Sequence, residues 1–237
     1  MTGTLLNIAT ILIGGVLGLI LGSRLPERLR QMVVSGLGLF TLAYGFSMFL
    51  ETENPLVVLG SLLVGAVLGE WLQIENGLQN LGAWLEQRVM KGNAENQARF
   101  VRGFLIASLV YCVGPMAILG SIQDGLSGDY NLLAVKSVLD GFASLAFAST
   151  LGVGVMFSVL PILVYQGGIS LLAAQAEAFV TPAMMNEMSA VGGVILLSIA
   201  ISSLLEIRPI RSANFLPAII IAPIVTALLA WVGLFTG

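Results

Sequence analysis

SLVYCVGPMAILGSIQDGLSGDYNLLAVKSVLDGFASLAFASTLGVG, residues Ser108 to Gly154, decides how the chain is read. It is oily at both ends, broken by Gly114-Pro115, and interrupted by Asp124, Asp129, Lys136 and Asp140. Two apolar runs that continue beyond it place part of this stretch at membrane depth. Charged groups there are costly, and they mark a site or a pathway unless shown otherwise.

The rest of the chain supports a membrane reading. Of 237 residues, 57% are hydrophobic and 10% charged, with a mean hydropathy of +0.97. A soluble domain carries about a quarter charged residues. Apolar runs of helical length recur from end to end, and about 20 helical residues cross the hydrocarbon core. Strict alternation, the mark of an outer-membrane strand, is missing. The expectation is an all-α, polytopic membrane protein forming one transmembrane domain over residues 1–237, with about eight spans. The spans are placed at 3–22, 32–50, 56–69, 100–122, 132–149, 152–174, 189–205 and 214–234. The fourth is broken at Gly114-Pro115, because proline removes a donor and strains the turn before it. Residues 132–174 hold two spans divided near Ser149–Gly152, or one span and a re-entrant segment. Ile74, Leu78, Leu81, Leu85 and Val89 recur at helical steps among Glu75, Glu86, Arg88 and Lys91, so 73–93 reads as an amphipathic surface helix with Trp84 as an anchor. The N-terminus lacks a basic leader, so the first apolar run is read as a retained helix.

Small residues suggest how the spans pack. Gly14, Gly18 and Gly22 share one face of the first span, and Gly65 and Gly69 one face of the third. Such faces admit a second backbone, from this chain or from another copy in a homo-oligomer. Val34–Glu51 resembles Met188–Glu206, which would make spans 1–3 and 6–8 inverted repeats. The match is short, and chance similarity between glycine-rich apolar helices explains it as readily.

Charge placement sets the orientation. Arg24, Arg28, Arg30, Arg88, Lys91, Arg99, Arg102, Arg208 and Arg211 all fall on one side if there are eight spans. The positive-inside rule then leaves both termini outside.

Several chemistries are excluded. With no histidine, the commonest metal ligand and general base is gone. Gly125-Leu126-Ser127-Gly128 has the outline of a rhomboid-like protease motif without its histidine base. Gly128-Asp129 has that of an aspartyl protease, but Leu126 stands where a glycine is required. No enzymatic role, cofactor or assigned metal centre is expected, and no basic-aromatic surface suggests nucleic acid. The lone Cys112 permits no internal disulfide.

Lys136 and Asp140, spaced i and i+4, share a helical face. They form a structural ion pair, or a carboxylate that exchanges an ammonium for a cation (Na⁺ at Asp140, or a proton), or an anion site built on Lys136. Ser137, Ser144 and Gln166 add hard oxygens, and carbonyls near Tyr111 and Cys112 are freed by the Gly114-Pro115 break. Asp124 and Asp129 form a solvated turn or an acidic vestibule. Three functions remain open: a transporter or channel for a small cation, a transporter for a small organic or anionic solute, and a scaffold or sensor whose 73–93 helix meets a partner. All three require the lipid bilayer.

GSRLPE (Gly22–Glu27), GSLLVGAVLGE (Gly60–Glu70), YCVGPMAILGSIQDGLSGDY (Tyr111–Tyr130), KSVLDGFASLAFASTLGVGV (Lys136–Val155) and NFLPAIIIAPI (Asn214–Ile224) together resemble the YqgA-like family of bacterial inner-membrane proteins. The resemblance runs nearly the whole length. It implies a multi-pass protein of the inner membrane. The family is a domain of unknown function, the sodium channel or pump suggested for it is conjecture, and no functional residues carry over.

Overall fold

A computed structural model describes residues 1–22, 26–89, 94–113, 115–173 and 181–231. Arg24, Lys91 and Gly114 lie outside these residues, as do the expected segment ends at 90–93, 174 and 232–234. The helices are α1 (Thr2–Gly22), α2 (Glu27–Phe49), α3 (Pro55–Trp71), α4 (Ile74–Val89), α5 (Ala94–Val113), α6 (Pro115–Leu126), α7 (Asn131–Leu151), α8 (Val159–Leu171), α9 (Pro182–Ile199) and α10 (Pro217–Trp231). No strand occurs among the described residues. Six of the described stretches are long and apolar enough to cross a membrane. The count reaches eight if α3 with α4, and α5 with α6, each make one broken span. The chain is a helical membrane protein.

Its faces are arranged accordingly. On α1 the buried residues are Gly3, Thr4, Asn7, Ile11, Gly14, Gly15 and Gly18, while Leu5, Ile13, Leu17 and Ile20 face outward. On α7, Lys136, Ser137, Asp140 and Ser144 are buried, and Val135, Val138, Leu139 and Phe142 are exposed. Small and polar groups turn inward and large apolar groups outward, as lipid demands.

The residues cluster into two compact units, each discontinuous in sequence. The first comprises Met1–Leu37, Leu78–Cys112 and Met116–Ala178. Here α1 and α7 run parallel in very close contact. A Cβ on Gly14 would lie 2.1 Å from the Gly141 carbonyl oxygen, and one on Gly18 would lie 2.3 Å from that of Leu145. Only glycine fits at either position. The Gly14, Gly18 and Gly22 face, which as a sequence suits another copy equally well, is therefore filled by α7 of the same chain. The chain leaves α7 at Gly152 (φ 87°), a left-handed conformation that favours glycine. A 3₁₀ turn, Val153–Ser158, follows, and α8 returns antiparallel to α1. Pro161 sits in the first turn of α8. Leu85, Phe100 and Phe104 form a small apolar core with Phe157 against it. The axes of α5 and α6 are bent by 63°.

In α4 one charge departs from the surface pattern. Glu86 is only 2% exposed, while Trp84 and Leu81 remain outside. Arg88 stacks over the Trp84 ring, 5.0 Å from its centroid.

The second unit comprises Gly38–Gly77, Val113–Pro115 and Phe179–Gly237. In it α3 packs antiparallel to α10, and a Cβ on Gly69 would lie 1.9 Å from the Asn214 carbonyl oxygen. The Gly65–Gly69 face is thus also filled within the chain. α2 packs antiparallel on α9, with Gly45 against the Gly193 carbonyl. α9 continues as a π-helical turn, Ala200–Leu204, and α10 is entered through a 3₁₀ turn, Ser212–Phe215.

Candidate functional site

The site lies in the first unit, on the inward face of α7. Lys136 donates from Nζ to Asp140 Oδ2 one turn later, and both residues are buried, at 5% and 8% exposure. The pair is local to one helix, so its spacing alone brings the charges together. A single charge at the centre of a span costs roughly 2.5–3.5 kcal/mol on insertion scales, and pairing offsets part of that cost.

Two neighbouring helices complete it. From α1, Asn7 donates its Nδ2 to Asp140 Oδ2 (2.9 Å) and to Gln166 Oε1 of α8 (3.0 Å). Asn7 and Gln166 are wholly buried. Asn7 Oδ1 and Gln166 Nε2 have no hydrogen-bond partner among the described residues. Asp140 receives both its bonds on Oδ2. Lys136 Nζ also lies 6.0 Å from the centroid of the buried Tyr111 ring, a cation–π contact. The Tyr111 ring in turn packs on Phe147 at 6.4 Å.

The other expected residues divide. Ser144 joins the site by bonding the Ile11 carbonyl of α1 (2.8 Å), which ties α7 to α1 one turn beyond Asp140. Ser137 turns back to the Leu133 carbonyl of its own helix. Cys112 is a half-buried free thiol. Pro115 opens α6.

Asp124 and Asp129, adjacent in the sequence motif, are separated by burial. Asp129 is exposed and caps the start of α7 through the Asn131 amide (3.0 Å). Asp124 is 3% exposed. Its Oδ2 lies 3.0 Å from the Gly3 amide and from the Met1 nitrogen. Asp124 therefore meets α1 four residues before Asn7, about 6 Å along the helix axis. The buried groups on this side of α1 thus form a polar line: Asp124, Asn7 with Gln166, Asp140 with Lys136, then Ser144.

Asn7 is the residue that the sequence reading did not bring to the site. It stands alone in an apolar helix, and its partners lie 133 and 159 positions away. The second unit holds another unannounced carboxylate, Glu187, which is wholly buried. It accepts from Thr52 Oγ1 (2.7 Å), Glu53 N (2.9 Å) and Asn54 N (2.9 Å). Both oxygens are used, and they hold the turn that enters α3. Glu187 is a clamp, with both oxygens engaged by the turn.

Comparison with known proteins gives family and compartment class but no activity. The chain is 34% identical over 233 residues to the uncharacterized protein YqgA of Escherichia coli (strain K12), covering 97% of this chain and 98% of that one. It is 28% identical over 229 residues to the uncharacterized membrane protein YdfK of Bacillus subtilis (strain 168), covering 95% of each. No solved structure matches. Residues 2–227 match the family model described as protein of unknown function (DUF554). With that match over nearly all of its length, and with a buried ion pair inside an apolar helical shell, the chain belongs to the DUF554 family of membrane proteins.

Proposed function

We propose that the protein moves a small cation, Na⁺ or H⁺, across the bacterial inner membrane through the polar line of the first unit. Asp140 is the acceptor and Lys136 its resident counter-ion. Asp124 lies on the outer approach, with Tyr111, Ser137, Ser144 and Gln166 as flanking polar groups. No catalytic step and no cofactor form part of this reading.

One observation carries it. Asp140 is a buried carboxylate whose neutralising partner is a flexible lysine on the same helix. Lys136 can swing away when a mobile cation arrives, because its four-carbon stem has rotational freedom that a fixed arginine fork lacks. The alternative in which Lys136 binds an anionic solute is less well supported, since its ammonium is already engaged by Asp140.

The same elements support the orientation read from the sequence. An eight-span path makes α1 and α7 parallel and α3 and α10 antiparallel, as their packing within each unit requires. It gathers the basic loops on the cytoplasmic side and leaves both termini outside.

The test is flux in proteoliposomes of purified protein under Na⁺, K⁺ and H⁺ gradients in turn, with Asp140→Asn alongside. Flux that disappears with Asp140→Asn is the expected result. Well-folded protein that conducts under none of the gradients would sink the proposal.

A further inference from the structure

The two amides beside Asp140 are more than an ion pair needs. A buried carboxylate paired with Lys136 is neutral as a unit, and one further donor reaches the same oxygen, Oδ2. Here the donor comes from Asn7, whose second hydrogen then requires an acceptor, supplied by Gln166 Oε1. The ionised carboxylate fixes the direction of both amides. If Asn7 were turned over, Oδ1 would face Asp140 Oδ2 at the contact distance of a hydrogen bond, oxygen against oxygen. The network therefore leaves Asn7 Oδ1 and Gln166 Nε2, both in wholly buried side chains, without hydrogen-bond partners among the described residues. An apolar residue at each position would avoid those losses. The second unit illustrates the alternative, since both oxygens of Glu187 are engaged by backbone and hydroxyl donors, with no side-chain amide involved.

We infer that Asn7 and Gln166 are ligands for an alkali-metal cation that replaces the Lys136 ammonium at Asp140. This rests on the cation-path reading above and selects the class of cation. When a metal cation takes the place of Nζ, the preference of the Asn7 amide reverses. Rotation about its terminal torsion brings Oδ1 to the place of Nδ2, between the Asp140 carboxylate and Gln166 Oε1. Three side-chain oxygens from α1, α7 and α8 then surround the ion. Hard oxygens of this kind replace part of a cation's hydration shell. A proton makes a smaller demand: the protonated carboxyl has a single O–H to donate, which one amide oxygen accepts, and the second amide oxygen is left without use. The pair of amides distinguishes the two cations that the carboxylate alone does not.

The experiment uses the full-length protein in detergent. Thermal stability is measured against NaCl, LiCl and KCl, with N-methyl-D-glucamine chloride holding ionic strength constant. Wild type, Asn7→Leu, Gln166→Met and Asn7→Asp are compared, and the same proteins are assayed for Na⁺ and H⁺ flux in proteoliposomes. The expected result is stabilisation of the wild type by at least one alkali cation. Its apparent affinity should fall about tenfold or more in Asn7→Leu and Gln166→Met, an effect of the size that second-shell or ligand loss produces at cation sites. Asn7→Asp, which keeps an oxygen, should retain it. Equal cation responses in wild type, Asn7→Leu and Gln166→Met would overturn the inference. So would failure of both variants to fold, which would make the amides structural. Proton flux that needs Asp140, with no alkali-cation response, would overturn this inference and leave the cation pathway standing. No flux and no cation response from folded wild type would overturn both.

Discussion

Asn7 on α1 donates to Asp140 on α7 across 2.9 Å, although 133 positions separate them in the chain. With Lys136 on the same oxygen, the carboxylate is balanced from two helices. Removing one member leaves a buried charge alone, which typically costs about 3–5 kcal/mol. Lys136→Met should therefore lower stability by that order. Lys136→Met/Asp140→Leu should recover most of the loss, because no charge remains to be solvated. Thermal melts of Lys136→Met, Asp140→Leu and the double variant close the cycle. Additive effects, with no recovery, would show that the pair is not coupled.

The α1–α7 contact makes a second prediction. A methyl group on Gly14 meets the Gly141 carbonyl at 2.1 Å, whereas one on Gly36 meets nothing within 4 Å. Gly14→Ala should destabilise by about 1–3 kcal/mol or more, as overpacking does. Gly36→Ala should be neutral or slightly stabilising, since glycine inside a helix costs roughly 0.5–1 kcal/mol relative to alanine. Expression and melting temperature of the two variants side by side test this. Equal behaviour would count against the close approach.

Glu187 offers a third. Its carboxylate receives two backbone amides and the Thr52 hydroxyl. Glu187→Gln turns an NH₂ group toward donors, and hydrogen bonds to charged groups are worth about 1.5–3 kcal/mol each. A clear drop in melting temperature is expected. Thr52→Val should cost about 1.5–3 kcal/mol, since it removes one such bond to the carboxylate. In proteoliposomes the surviving folded fraction should keep its flux. Loss of flux without loss of stability would assign Glu187 to the pathway instead.

Topology can be read directly. Asp129 and Ile207 are both exposed. In a Cys112→Ser background, Asp129→Cys should react with a membrane-impermeant maleimide from the outside of intact spheroplasts. Ile207→Cys should react only after permeabilisation. Labelling of both from one side would contradict an eight-span path.

The helical membrane class and the Lys136–Asp140 pair were legible in the sequence because both depend on near neighbours. Apolar length and an i, i+4 spacing need no knowledge of the fold. The glycines of α1 and α3 announced close packing in the same way. Their partners were not legible, since nothing in Gly14 names Gly141. Asn7 was hidden for this reason. One amide in an apolar helix looks like tolerated polarity until the helix facing it is known. Glu86 was misleading in the opposite sense, because its helical spacing among charges suits water and its side chain is buried. Glu187 sat in a short polar connection, where an acid ordinarily meets solvent. Its three donors come from a turn more than 130 positions away.

The parallel seam of α1 and α7 also sets an order of events during synthesis. The first helix enters the bilayer long before its partner exists. At about 5–20 residues per second, the 133 residues between Asn7 and Asp140 take on the order of ten seconds to translate. Throughout that interval Asn7 and the bare glycine stripe have no seam to close against. The newborn helix must be sheltered by the insertion machinery or by neighbouring spans until α7 arrives and its carboxylate is captured.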